Sequence, residues 1–156
     1  MHRAMRRADK EVTDRTWMES VIERSRVCRL AVCDGDQPYV IPICFAYKDG
    51  TLYFHGAREG KKIDCLRQNP KVCVEFDVDA ELVPGETASA FTMKYRSVIA
   101  FGVASFVEGL DAKREALDVL MSHYSDGSWT YPDEAVQRVC IWKVDVEHMT
   151  GKQSGH

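Results

Sequence analysis

The chain has 156 residues, 45% of them hydrophobic and 29% charged, which is the composition of an ordinary globular domain and excludes disordered, collagenous and coiled-coil readings. That length suits one domain spanning residues 1–156 and can bury a core without disulfide or metal staples. Twenty-one basic against 24 acidic residues leave a formal charge of -3, so the chain carries no broad electrostatic footprint for nucleic acid.

The longest apolar runs, such as Val98 to Gly102, are far too short to span a membrane, and Arg3, Arg6 and Arg7 lead into no signal-peptide core. The expected location is cytoplasmic, with no membrane partner. Residues Met1 to Lys10 read as a mobile basic arm and Lys152 to His156 as a mobile polar tail. Between them, a first helix is expected from Thr16 to Arg26, capped by Thr13 or Asp14, with Trp17, Met18, Val21 and Ile22 on one apolar stripe.

Strands follow. Val27 to Cys33 runs into the hairpin signal Asp34-Gly35, and Tyr39, Ile41, Ile43, Phe45 and Tyr47 alternate as a single strand up to a second hairpin at Asp49-Gly50. Thr51 to His55 is a third strand, Lys61 to Gln68 a short helix stopped by Asn69-Pro70, and Val72 to Asp77 a fourth strand. Asp79 to Ser89 reads as a long acidic surface loop, and Thr92 to Glu108 as a long strand bent at Gly102. A helix capped by Asp111, with Leu117, Leu120, Met121 and Tyr124 on its apolar side, precedes a closing strand from Gln137 to Glu147. The fold class is mainly β (α+β): a small six-stranded antiparallel β-barrel flanked by three helices, which the resemblance described below makes a split β-barrel.

The six cysteines form no CxxC pair, and Cys28, Cys44, Cys73 and Cys140 sit in apolar strand-like runs, so buried reduced thiols are expected in place of a disulfide or zinc framework. No metal site is expected.

Two segments could carry chemistry. In Leu52-Tyr53-Phe54-His55-Gly56-Ala57-Arg58-Glu59-Gly60-Lys61-Lys62-Ile63-Asp64 a strand ends at His55, and Lys61 and Lys62 open a helix whose free N–H groups and dipole favour an anion. The same residues would also serve as a solvated helix face. In Met93-Lys94-Tyr95-Arg96-Ser97-Val98, Arg96 is able to hold two phosphate oxygens and Ser97 adds a hydroxyl, or Arg96 points outward from a half-exposed strand.

Together these segments resemble the FMN-binding split barrels of the pyridoxamine 5'-phosphate oxidase-like superfamily. The likeness runs from Tyr39-Val40-Ile41-Pro42-Ile43-Cys44-Phe45 to Ile141-Trp142-Lys143. Arg26-Val27-Cys28-Arg29-Leu30-Ala31, Tyr53-Phe54-His55, Gly60-Lys61-Lys62-Ile63-Asp64, Tyr95-Arg96-Ser97-Val98 and Thr150-Gly151-Lys152 are similar to its nitroimidazole-resistance (Nim-like) branch. The C-terminal substrate motif of the vitamin B6 oxidases is not matched in Trp142-Lys143-Val144-Asp145.

The resemblance implies FMN as cofactor, a homodimer with the flavin at the subunit interface, and reduction of small aromatic or nitro compounds. It places the backbone of Val40, Ile41, Pro42 and Ile43 along the isoalloxazine ring, and Phe54, His55 and Gly56 at the ring border. It assigns Lys61 and Lys62 to the phosphate, Arg96 and Ser97 to the rest of the pocket, and Trp142 to an approach from the partner subunit. His55 would be the catalytic proton donor. With no GxGxxG fingerprint, NAD(P)H as electron donor would dock directly on the flavin. A flavin-binding or storage protein without catalysis, and a heme-binding split barrel, are the alternative functions.

Overall fold

A computed structural model describes residues 2–156. Its strands are β1 (Glu11–Val12), β2 (Cys28–Asp34), β3 (Gln37–Ile43), β4 (Ala46–Lys48), β5 (Thr51–Gly56), β6 (Lys71–Val83), β7 (Thr92–Phe106) and β8 (Cys140–Ser154). Its helices are α1 (Arg15–Arg24), α2 (Lys61–Gln68), α3 (Leu110–Tyr124) and α4 (Asp133–Arg138). All strand pairs are antiparallel, in the order β3-β2-β6-β7-β8-β5-β4 with β1 beside β8. The sheet does not close, as in a split barrel, and it has eight strands where the sequence suggests six.

Alternation sets the two faces of the sheet. Leu30, Val32, Leu52, Phe54, Val72, Val74, Phe76, Val98, Ala100, Trp142 and Val144 turn inward and are buried. Met18, Val21 and Ile22 of α1 close the same core, and the Asp14 carboxylate accepts the Thr16 N–H at 3.2 Å to start that helix.

The departures from the sequence reading have identifiable physical causes. The alternating run Tyr39 to Tyr47 is two strands on opposite edges of the sheet, broken at Cys44-Phe45. Phe45 is fully buried there, and its N–H donates to the Tyr124 hydroxyl (3.1 Å) instead of to a neighbouring strand, while the same hydroxyl donates to the Arg26 carbonyl (2.7 Å). The same break leaves Cys44 exposed, although all six cysteines are free thiols. Most of the acidic segment after Asp77 is strand, because β6 and β7 continue pairing through Val83↔Thr92 past a bulge where Asp79 takes φ 58°. Lys152 to Ser154, read as tail, extend β8 along β7, and Ser154 is buried. Gly109 occupies the N-cap of α3, placing Asp111 inside its first turn, and α4, anchored by the buried Val136, has no counterpart in the sequence reading.

The bend expected at Gly102 is present as a register shift: Phe101 pairs His148 and Gly102 pairs Val146, which leaves Glu147 unpaired and reverses the facing of β8. A Cβ at Gly102 would lie 2.3 Å from the Asp145 carbonyl oxygen and 2.7 Å from Val144 Cγ1. Gly102→Ala is therefore expected to destabilise the fold by about 2 kcal/mol, the cost of an overpacked strand crossing, and to lower Tm by roughly 4 to 8 °C in a thermal melt. An unchanged Tm would mean that β8 yields there without cost.

Candidate functional site

The site is built where β5 hands over to α2. Along β5, Leu52 and Phe54 enter the core, so Thr51, Tyr53 and His55 occupy the outer face. His55 is exposed, opposite Ile141 of β8. Its pKa lies below the ordinary histidine value, first because the ring is partly desolvated and second because the Lys62 ammonium is near.

Gly56 ends the strand, and a Cβ on it would meet Lys62 Cε at 3.2 Å and Nζ at 3.3 Å, so the missing side chain is the space Lys62 crosses. Gly60 adopts φ 132°, ψ 167°, a left-handed backbone state that favours glycine. Its carbonyl accepts the N–H groups of Ile63 and Asp64, both at 3.1 Å, leaving those of Lys61 and Lys62 without intrahelical partners.

The two lysines diverge from this turn. Lys61 Nζ sits 3.1 Å from Asp34 Oδ2 and 4.4 Å from the centre of the Tyr39 ring, toward the β2–β3 hairpin. Lys62 Nζ lies 6.0 Å from the Trp142 ring, toward β5–β8, and makes no ion pair among the described residues. The N-terminus of α2 thus links two strand pairs that are not neighbours in the sheet. It offers two free amides, two ammonium groups and a glycine at each end of the preceding loop. That donor set fits a phosphate monoester.

β3 supplies the other wall. It is an edge strand, so part of its backbone N–H and C=O groups face away from β2. Val40 (59% exposed) and Pro42 project outward, whereas Ile41 and Ile43 pack on the core. A flat heteroaromatic ring could lie along this edge and hydrogen bond to main-chain groups, with Pro42 contributing no donor.

Four expected participants are not presented at this turn. Trp142 is fully buried in its own chain, stacked on Phe54 at 5.6 Å, so neither ring is exposed on the surface of the single chain. The Trp142 indole N–H is also buried without a partner. Arg96 and Ser97 stand at the far end of the sheet from Lys61 and Lys62. Gly56 pairs Cys140 and Arg96 pairs Gln153, a separation along β8 of about 40 Å at roughly 3.3 Å per residue. Arg96 Nη1 is bound to Asp79 Oδ2 at 2.5 Å, and Arg24 holds the other oxygen of that carboxylate at 2.5 Å. These two contacts pull the Asp79 carboxyl below its usual pKa.

A feature the sequence reading missed is a groove of about 720 Å³ between α3 and the outer face of β4, β5 and β8, walled by Tyr53, Lys48, Lys143, Glu115 and Ser122. Tyr53 shares that face with His55, and period-two alternation along β5 was the signal that could have found it. Among the described residues no three His, Cys, Asp or Glu side chains cluster as a metal site.

A 2.20 Å crystal structure of a Bacteroides thetaiotaomicron protein, assigned by name to 5-nitroimidazole antibiotic resistance, is 37% identical, covers 92% of this chain and 86% of its own, and superposes with a TM-score of 0.84. An FAD-binding protein from Mesorhizobium loti is 26% identical over 91% of this chain and 96% of its own, TM-score 0.67. The FAD and heme binding protein of Mycobacterium smegmatis shares the fold at 19% identity and TM-score 0.86, over 94% of this chain and 74% of its own. An uncharacterized Rhizobium meliloti protein is 39% identical over 65 residues, and the match spans 42% of each chain. The pyridoxamine 5'-phosphate oxidase family matches residues 14–153, nearly the whole molecule, and the chain belongs to that family.

Proposed function

We propose that the protein is an FMN-dependent oxidoreductase that reduces small aromatic or nitro compounds. The carrying observation is the open N-terminus of α2, where two unpaired amides sit after Gly60, flanked by Lys61 on the side of the exposed β3 edge and by Lys62 on the side of β5–β8. Family membership and the flavin named for the Mesorhizobium relative support a flavin, and the Bacteroides relative's association with 5-nitroimidazole supports the substrate class. Lys61 and Lys62 would hold the phosphate, β3 the ring edge, and His55 a proton beside the ring. A bound flavin supplies the two-electron chemistry.

The assembly we propose is a homodimer. The outer face of β2, β3, β6 and β7 carries Val40, Ile99 and Val103, respectively 59%, 38% and 37% exposed, next to Ala31, Cys73 and Phe101. A two-fold axis across this face would bring the Lys61–Lys62 end of one chain toward Arg96 and Ser97 of the partner subunit, which no single chain achieves. Light scattering during gel filtration checks the assembly, and a monomer at micromolar concentration would refute it.

Absorbance of purified protein before and after FMN addition tests the cofactor, because a flavin band and a heme Soret band are readily distinguished. FMN should bind at least about a hundredfold more tightly than riboflavin, corresponding to about 2.8 kcal/mol from the phosphate contacts. Equal affinities would remove the phosphate assignment. Flavin binding without NAD(P)H oxidation or nitroaromatic turnover would favour a storage role.

A further inference from the structure

Behind the β5–α2 loop lies a second cluster of cations. Arg58 belongs to the loop itself, Arg67 to the last turn of α2 and Arg138 to the last turn of α4. The three line one open cavity of about 630 Å³ with Ala57 and Glu59. Arg58 and Arg67 also wall an adjoining recess of about 60 Å³ with Lys113, Glu108 and Cys140. Burial raises the Cys140 thiol pKa, with Arg67, Lys113 and Arg58 opposing the rise and Glu108 adding to it.

These cations are poorly neutralised. Arg58 and Arg67 make no ion pair and donate no hydrogen bond among the described residues. Arg67 lies over the Phe106 ring at 4.9 Å, which fixes its guanidinium without consuming its donors. Arg138 reaches Glu134 only at 4.0 Å, between two exposed side chains. Lys113 Nζ donates to the Val139 carbonyl at 2.9 Å and adds its charge behind the recess. Arg67 and Arg138 each end a helix, where a cation complements the dipole, but that explains neither Arg58 on its loop nor the convergence of all three on one cavity.

We propose that Arg58, Arg67 and Arg138 form a second anion site that takes the diphosphate of a dinucleotide. Three guanidinium groups spread around a wide mouth suit two linked phosphates better than one, since each can grip oxygens bidentately. The assignment of a dinucleotide rests on the flavin reading above, because Arg58 lies on the loop that leads into Lys61 and Lys62. Two molecules bring this chemistry there: a nicotinamide dinucleotide acting as electron donor, and FAD in place of FMN.

Calorimetric titration of pyrophosphate and of ADP into FMN-loaded protein at low ionic strength is expected to show one saturable site per chain. Arg58→Gln and Arg138→Gln should each weaken it at least tenfold while leaving FMN affinity and Tm unchanged. No saturable binding, or binding that both substitutions leave intact, would overturn the proposal. A raised KM for NADH or NADPH in R58Q with FAD affinity unaltered identifies the donor as the source, and the reverse pattern identifies FAD. Protein that refuses FMN would refute the flavin reading alone, because pyrophosphate titration of the same unloaded chain still reads the arginine cluster.

Discussion

Mixing a Lys61→Ala/Lys62→Ala chain with an Arg96→Ala chain is expected to restore the tight flavin binding that neither variant shows alone. Each charge-assisted phosphate contact contributes about 1.5 to 3 kcal/mol, so losing both lysines should weaken FMN by at least about a hundredfold. Arg96→Ala should cost at least about tenfold, an effect tempered because Asp79 already holds that guanidinium and would keep only Arg24. In a two-fold dimer whose sites combine the α2 end of one chain with the Arg96 end of the other, a mixed dimer has one site with every lesion and one with none. Random re-pairing after co-refolding should therefore recover about a quarter of the sites. Recovery would demonstrate a composite site directly. Normal FMN affinity in the Arg96 variant would reduce that residue to the ion-pair partner of Asp79, and no recovery from two defective variants would refute the composite arrangement.

The limits of α2 were legible in the sequence because both are written in backbone chemistry: Gly60 permits the turn that starts it and Asn69-Pro70 stops it. The bend at Gly102 was legible for a similar reason, since the missing side chain is what the Asp145 carbonyl requires. The break at Phe45 was not, because period-two alternation runs through Tyr47 unchanged and the partner that diverts the Phe45 N–H, Tyr124, lies 79 residues away. The strand after Asp77 was hidden differently. There β6 and β7 extend beyond the core, so polar residues on both faces look like loop while the backbone still pairs. At the site, local pattern placed His55 at a strand end and Lys61 and Lys62 at a helix start, whereas a role for the β3 strand came only from the family resemblance. The separation of this end from Arg96 was not legible, because it depends on how far β8 runs between its two neighbours, a property of pairing register alone. Trp142 shows the same limit, since its burial follows from facing Phe54 across β5–β8.

His55→Ala, compared with wild type as flavin-saturated protein, is expected to cut nitroaromatic turnover by about 10² to 10⁴-fold while leaving the fold intact. Reduction of a nitro group consumes protons as well as electrons, and His55 is the titratable side chain on the outer face at the end of β5, beside the proposed phosphate turn. Its depressed pKa gives the prediction a direction. Desolvation and Lys62 favour the neutral ring in the folded protein, so at neutral pH the donor is in its minority form. Wild-type turnover should rise as pH falls toward that lowered pKa and level off below it, and the variant should lose the slope. Linkage adds a second readout: a folded pKa below the unfolded value of about 6.5 means that the unfolded chain binds the proton more readily, so His55 lowers stability as pH drops through that window. The alanine variant should melt with a flatter pH dependence between pH 7 and 5. Unchanged turnover with an unchanged pH profile would return His55 to an ordinary surface residue. Weakened FMN affinity with normal turnover per bound flavin would make it a cofactor contact, and only the combined loss of rate and pH slope identifies it as the proton donor.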